Sequence, residues 1–472
     1  ASVIEAFAIA AGRARAAGFD AVELHGAHGY LLNQFLSPFS NQREDEYGGS
    51  EDRRMRFVLE VVAAVRRTVG QDFPVWIRVS ADELIKGGYD LAFMQRLAPK
   101  LVAAGVDAIH CSVGVYSTPG NLAIASMDTD PGFNLFRARA LKSVVDVPVI
   151  GVGRINDPRL ADEAIGRGDA DMISFGRQHL TDPDFINKAA QGNYDDIRRC
   201  VACNQGCIER LSFEMKSVTC SFNPECGREY KGPPPKAEPA KRVWVIGAGP
   251  AGLAAAMAAS MRGHHVEVFE KDDTPGGQLQ SASRPPRKEA FLDWVAWARR
   301  QLEKRGTPIH YRHTAGAEEL KDKRPDSVIL ACGALPAAPP IPGLDSPLVA
   351  DARDVLVGKV ALKGPVVVLG AGYVGMETAD FLSAKGLTVT VLEMQPVPPV
   401  GKLTAHGYWL HKRIKDSGGR LIFGAKVMAI ENGGVRYSRA DSEQVEPAAL
   451  IVTAMGARSE NSLEAVLKEL AI

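Results

Sequence analysis

Neither sign of charge is in excess along this chain: Lys plus Arg and Asp plus Glu both number 56 in 472 residues, for a formal net charge of zero. A protein that neutralises phosphate backbones needs a basic surplus, so nucleic acid is excluded as the expected partner. Long hydrophobic runs are missing as well. The longest stretch without a charge, residues 243–261, is interrupted by Gly247, Gly249, Pro250 and Gly252, and reads as strand, turn and helix rather than a membrane span. Cysteine is sparse. Seven are present and four of them bunch between positions 200 and 220, so a secreted disulfide framework is excluded and the cytoplasm is the expected location. No signal sequence precedes Ala1 and no Met opens the chain, which starts inside an expected helix over residues 3–17, so a truncated start is expected.

What is present is a glycine-punctuated alternation of short apolar strands and amphipathic helices, with 46 glycines and 46% hydrophobic residues. Up to residue 194, strands are expected at 21–24, 75–79, 108–112, 149–152 and 172–175. Phe57, Val58, Val61, Val62, Val65 and Val69 mark the helical period between two of them. Strands alternating with helices imply parallel pairing. An open nucleotide-binding sheet would carry its glycine fingerprint after the first strand, and none stands there. The expectation is an incomplete (β/α)8 barrel.

Cys200, Cys203, Cys207 and Cys220 follow the spacing x2, x3, x12. Three thiols within eight residues and a distant fourth suit a cubane iron–sulfur cluster, with zinc as the alternative. The prolines of residues 231–241 stiffen the chain and mark a linker. Beyond it one design occurs twice. Gly247, Gly249 and Gly252 follow an expected strand at 243–246, Glu270 closes the next strand, and Gly276, Gly277 and Gln278 come after it. Gly370, Gly372 and Gly375 with Glu393 repeat the pattern. Such glycines let a pyrophosphate reach backbone amides at a helix start while the acid takes ribose hydroxyls, so the tandem implies one flavin and one nicotinamide. The acid at 393 repels a 2′-phosphate and favours NADH over NADPH.

In the N-terminal block the strand at 21–24 runs into His25, His28 and Tyr30, at the strand end where barrel active sites sit. Arg78 closes an otherwise apolar strand and calls for an anionic or electron-rich partner, a nearby carboxylate being the plain choice. Gly151, Gly153, Gly176 and Arg177 follow the last two strands, where barrels hold phosphate.

With these pieces assembled, the chain resembles the multidomain old yellow enzyme family, which includes 2,4-dienoyl-CoA reductase, enoate and bile-acid enoyl reductases, and the trimethylamine and histamine dehydrogenases. The resemblance rests on residues 25–36, on Asn41-Gln42-Arg43 with Tyr47-Gly48-Gly49, on the cysteine run and on the two fingerprints. It implies FMN in the barrel, one 4Fe-4S cluster on the four cysteines, and an FAD domain interrupted by an NAD(P)H domain. It also implies roles. Arg78 matches an arginine near the FMN ring, Gly153, Gly176 and Arg177 its phosphate loop, His25 and His28 a pair that hydrogen-bonds a substrate carbonyl, and Tyr30 a proton donor. The domains expected are 1–195 barrel, 196–230 cluster segment, 231–241 linker, 242–357 FAD, 358–455 NAD(P)H and 456–472 a truncated return to FAD. Two departures stand out: Tyr116 falls where dienoyl-CoA reductase carries a catalytic His, and Cys332 where such FAD proteins carry Thr.

The function expected is NADH-dependent reduction of an activated C=C bond in a small thioester, acid or ketone, with homo-oligomers compatible. The spacing of three between Cys203 and Cys207 and the paired His resemble the reductase branch. The rivals are an amine dehydrogenase and a non-catalytic electron-transfer subunit resembling the small subunit of glutamate synthase.

Overall fold

The computed structural model describes residues 2–431, 433–440 and 442–472, with Ser2 described by its backbone alone. One compact unit comprises the chain up to Pro183 together with Ala202–Asn204, and the other comprises Asp184–Val201 and Gln205–Ile472. Among the described residues, no helix is long and apolar enough to cross a membrane.

The first unit runs α1 (Ser2–Ala16), β1 (Val22–Gly26), α2 (Leu31–Leu36), α3 (Glu51–Val69), β2 (Val75–Ser80), α4 (Leu91–Ala104), β3 (Ala108–Ser112), α5 (Leu135–Lys142), β4 (Val149–Gly151), α6 (Pro158–Gly166), β5 (Met172–Ile173) and α7 (Arg177–Thr181). The five strands form one parallel sheet in sequential order. Helical crossovers between neighbouring strands, taken always in the same sense, are barrel architecture. Helix α3 shows why the elements form. Ser50 caps it by accepting from the Arg53 N–H, Glu51 and Asp52 meet the positive end of its dipole, and Arg66 and Arg67 meet the negative end. Its apolar stripe, Met55, Val58, Val61, Val62 and Val65, is fully buried against Leu24, Ile77 and Ile109 of the sheet. Burial of such side chains contributes about 1.5–3 kcal/mol each.

In the second unit β6 (Arg242–Ile246), β7 (His265–Phe269), β8 (Ile309–His310) and β9 (Ser327–Leu330) form a parallel sheet in the order β8-β7-β6-β9. A second parallel sheet contains Val349–Asp351, Leu450–Thr453, Val366–Leu369, Val389–Glu393 and Arg420–Phe423 in that spatial order. Each fingerprint lies between a central strand and a helix, Pro250–Met261 in one sheet and Tyr373–Ala384 in the other. Antiparallel strands occur only as additions among the described residues, a three-stranded sheet within residues 426–447 and the pair Ala334–Pro336 with Ala457–Ser459, so the chain is α/β, a partial barrel followed by two dinucleotide folds.

One boundary differs in a way that matters. Strand β1 extends to Gly26, two residues beyond the expected end, because His25 pairs with Arg78 of β2. His25 thus stands in the sheet, and His28 alone of the two imidazoles belongs to the loop.

Candidate active site

His25, Arg78 and His110 occupy one register row, His25 opposite Arg78 and Arg78 opposite His110. Residues of one row share a face, and Glu23, two positions before His25 on β1, shares it too. The alternate residues Leu24, Ile77 and Ile109 face the helices. Glu23 binds two members of the row, with Oε1 2.8 Å from Arg78 Nη2 and Oε2 2.8 Å from His110 Nδ1. A carboxylate only accepts, so the hydrogen of His110 lies on Nδ1. Burial alone would raise the Glu23 carboxyl, but the hydrogen bond and charge of His110, joined by Arg78, outweigh it and hold the carboxyl below its ordinary range.

Arg78 therefore has the plain carboxylate partner expected of it, and more. Arg78 Nε and His110 Nε2 are buried without a hydrogen-bond partner among the described residues. Such orphans are costly unless a bound group meets them. A donor on a guanidinium and a ring nitrogen beside an ion pair fit the carbonyl and nitrogen edge of a flavin.

The loop after β1 is held from several sides. His28 takes a left-handed backbone, φ 62°, and its N–H donates to Ser80 Oγ at 3.0 Å, while Ser80 donates to Gly114 O at 2.7 Å. The Gly29 N–H donates to Asn33 Oδ1 at 2.8 Å. Asn33 in turn donates to Glu83 Oε1 at 2.9 Å and to the Tyr89 hydroxyl oxygen at 3.1 Å, in a network buried from water. A strained residue over-determined by its surroundings is a common mark of a functional site. The loop brings the His25 and His28 rings within 5.3 Å and the His25 and Tyr30 rings within 4.9 Å. His28 Nε2 lies 2.6 Å from Ser112 Oγ. Burial, and then the charges of His25 and Arg78, press His28 down to about 4, and burial followed by Arg78 lowers His25. Both rings are neutral near pH 7. In the tautomer that accepts the Ser112 hydroxyl at Nε2, His28 keeps its own N–H on Nδ1 for a ligand.

Glu23, His110 and Ser112 were not singled out from the sequence. The available signal was a polar residue, Glu23 in one and His110 in the other, inside each of two short apolar strands, which parallel pairing places beside Arg78.

Strands β4 and β5 are neighbours, so the turns at Gly151 and Gly153 and at Gly176 lie side by side at one end of the sheet. Gly176 caps α7, and a Cβ there would meet nothing, which leaves its backbone open to a close-approaching ligand. Arg177 follows it, with its guanidinium bonded to Asn204 Oδ1.

In the second unit the two fingerprints are built alike. A Cβ at Gly252 would collide with the Gly247 carbonyl, and one at Gly375 with that of Gly370, so both glycines are needed for tight strand-to-helix packing. Gly372 has nothing around its Cβ direction and Gly249 only Gly277, so neither is glycine for packing; approach of a pyrophosphate remains as the reason. Glu270 accepts the Ala248 N–H at 2.7 Å, and Glu393 accepts the Ala371 N–H at 2.8 Å. Each acid thereby ties the glycine turn to the end of the next strand. Gln278 donates to Ala334 O at 3.3 Å. These residues fit a dinucleotide in each fold.

Among the cysteines, Cys203 and Cys207 are buried and Cys200 and Cys220 half-buried. Gly206 packs against the Cys220–Ser221 backbone, where a Cβ would meet Ser221 N at 2.8 Å, and this draws the Cys207 and Cys220 segments together. The Phe222 N–H donates to Cys220 Sγ, 3.4 Å away. Among the described residues no three His, Cys, Asp or Glu side chains form a ready-made cation site, so a cluster there rests on donor chemistry and spacing.

A partial barrel together with two dinucleotide folds is the architecture of flavin- and nicotinamide-dependent oxidoreductases. Residues 1–196 match the NADH:flavin oxidoreductase / NADH oxidase family and residues 241–471 the pyridine nucleotide-disulphide oxidoreductase family. The chain is 42% identical to NADH oxidase of Thermoanaerobacter brockii and 39% identical to cinnamate reductase of Clostridium sporogenes, in both cases over 83% of its own length and 61% of the relative's. The solved structure of a 2-naphthoyl-CoA reductase superposes with a TM-score of 0.94 at 30% identity, covering 98% of this chain and 71% of that one. The chain belongs to the multidomain old yellow enzyme family of NADH:flavin oxidoreductases. It spans about three fifths of the length of the first two relatives.

Proposed function

We propose that this chain is the larger part of an NADH-dependent ene-reductase that reduces the C=C bond of an α,β-unsaturated thioester, acid or ketone. FMN is assigned to the barrel unit, FAD to the fold at Gly247, NADH to the fold at Gly370, and a 4Fe-4S cluster to Cys200, Cys203, Cys207 and Cys220. When bound, these groups take hydride from the nicotinamide, pass electrons singly and return hydride to the alkene. The remaining chemistry belongs to side chains. His25 and His28, neutral at working pH, donate N–H bonds to the substrate carbonyl oxygen, where negative charge grows as the β-carbon is reduced. Tyr30 supplies the α-proton. Glu23, itself bonded to His110, holds the Arg78 guanidinium in the same row as His25.

The observation that carries this is the gathering of the His28 and Tyr30 rings around His25, with centroids 5.3 Å and 4.9 Å from its own, at the end of β1 and in the Arg78 row. The names of relatives that reduce cinnamate and a naphthoyl thioester point the same way. An anaerobic titration of the full-length protein tests it. NADH should bleach the flavins, and cinnamate or a 2-enoyl-CoA should restore their colour. Bleaching by a methylated amine, with no response to alkenes, would establish the dehydrogenase rival instead. Iron and sulfide analysis of the same preparation tests the four cysteines.

A further inference from the structure

Tyr30 and Tyr116 touch through their hydroxyl groups, with ring centroids 5.4 Å apart. Tyr116 lies four residues beyond the end of β3, on a loop fixed without its help. Val115 bridges to His28 and its N–H donates to Thr118 Oγ1 at 2.7 Å, while the buried Thr118 hydroxyl donates to Glu83 O, also at 2.7 Å. Gly29 adds to this, since its Cβ direction is filled by Val115 and Tyr116 at 3.5–3.7 Å. The ring itself is 72% exposed, against 46% for Tyr30, so little burial accounts for an aromatic side chain there. His25, Tyr30 and Tyr116 thus form a file of rings leading from the polar row to solvent.

We propose that Tyr116 is a relay residue that returns a proton from water to Tyr30 after each turnover, an inference that rests on the ene-reductase reading. Once hydride has reached the β-carbon, the Tyr30 O–H bond breaks and a Cα–H bond forms. The Tyr116 hydroxyl hydrogen then passes to the Tyr30 oxygen, and water reprotonates Tyr116, leaving hydroxide. A hydride from the flavin and a proton from water have then been added across the double bond, with no other oxidant or reductant. A substrate seated over His25 and Tyr30 covers the inner phenol before the outer one, which gives the outer one its use. The hydrogen bond to Tyr30, followed by burial, pushes Tyr116 up to about 12, so it holds its proton throughout the neutral range.

The test uses full-length protein, reduced anaerobically with NADH and mixed with cinnamate or a 2-enoyl-CoA in H2O and D2O. In Tyr116→Phe the first turnover should stay within about twofold of wild type, because Tyr30 still carries its proton, while steady-state turnover falls about tenfold and its solvent isotope effect rises. Tyr116→His, which keeps a proton-carrying group, should recover turnover to within about threefold. In protein labelled with 13Cζ-tyrosine, Tyr116→Phe should shift the Tyr30 resonance. Steady-state turnover equal to wild type in Tyr116→Phe, or a first turnover slowed as much as later ones, overturns the relay and leaves the ene-reductase reading standing. If wild type transfers electrons to no alkene, both fall together.

Discussion

Within the site, His28 shows how far surroundings move one residue's chemistry. Its pKa lies near 6.5 in an unfolded chain and about 4 in the folded one, chiefly through burial. Between those values the unfolded state binds more protons. Stability is therefore complete above pH 6.5 and is lost as the pH falls toward 4, by about 2 kcal/mol once partial exposure is allowed for. Urea unfolding at pH 7.5 and 4.5 checks this, because wild type should lose about 2 kcal/mol more than His28→Asn over that interval. At this scale the sequence was informative where a polar residue followed a strand, as with His28 and Tyr30. It was silent where the partner came from a distant strand. Glu23 and His110 are 87 positions apart and meet only because β1, β2 and β3 pair in register.

One level up, the loop that presents His28 is anchored by α2 and by the segment following β2. Asn33 accepts the Gly29 N–H and donates to Glu83, whose other oxygen accepts from the Ser37 hydroxyl at 2.6 Å and the Tyr89 N–H at 3.0 Å. Asn33→Leu leaves the Gly29 N–H and a buried carboxylate oxygen short of a partner, which should cost about 2–3 kcal/mol. Thermal unfolding should register that loss, and amide exchange at Gly29 and Tyr30 should quicken more than in the strands. All five strands of the first unit were legible as short, largely apolar runs between amphipathic helices. Periodicity did not locate the single π-helical turn at Gln205–Glu209, nor the left-handed Ala202 and Asn204 on either side of Cys203. The π turn is held by a contact from outside it, the Thr219 N–H donating to Gly206 O at 2.8 Å, and local sequence carries no period for such conformations.

Across the whole molecule, the same glycine-turn design is used twice within one compact unit, and the duplication allows the two nucleotide assignments to be separated. Glu270 and Glu393 sit at equivalent strand ends, and each uses both oxygens on backbone N–H groups: Ala248 and Asp272 in one copy, Ala371 and Gln395 in the other. Each oxygen keeps a second lone pair for a ribose hydroxyl. A Gln at either position keeps one acceptor oxygen and presents an N–H₂ where the second was, so it weakens the ribose bond and sets a donor against a donor at the turn. Glu393→Gln should raise the Kd for NADH about tenfold, roughly 1.4 kcal/mol, and the Kd for NADPH less, since the charge that repels its 2′-phosphate is gone. FAD content should not change. Glu270→Gln should do the converse, lowering FAD content while the surviving holoprotein binds NADH as before. Fluorescence titration with each nucleotide, alongside flavin released by denaturation, reads both arms. If either substitution impaired FAD retention and NADH affinity alike, the two folds could not be serving different nucleotides, and the assignment of FAD to one and NADH to the other would have to be given up.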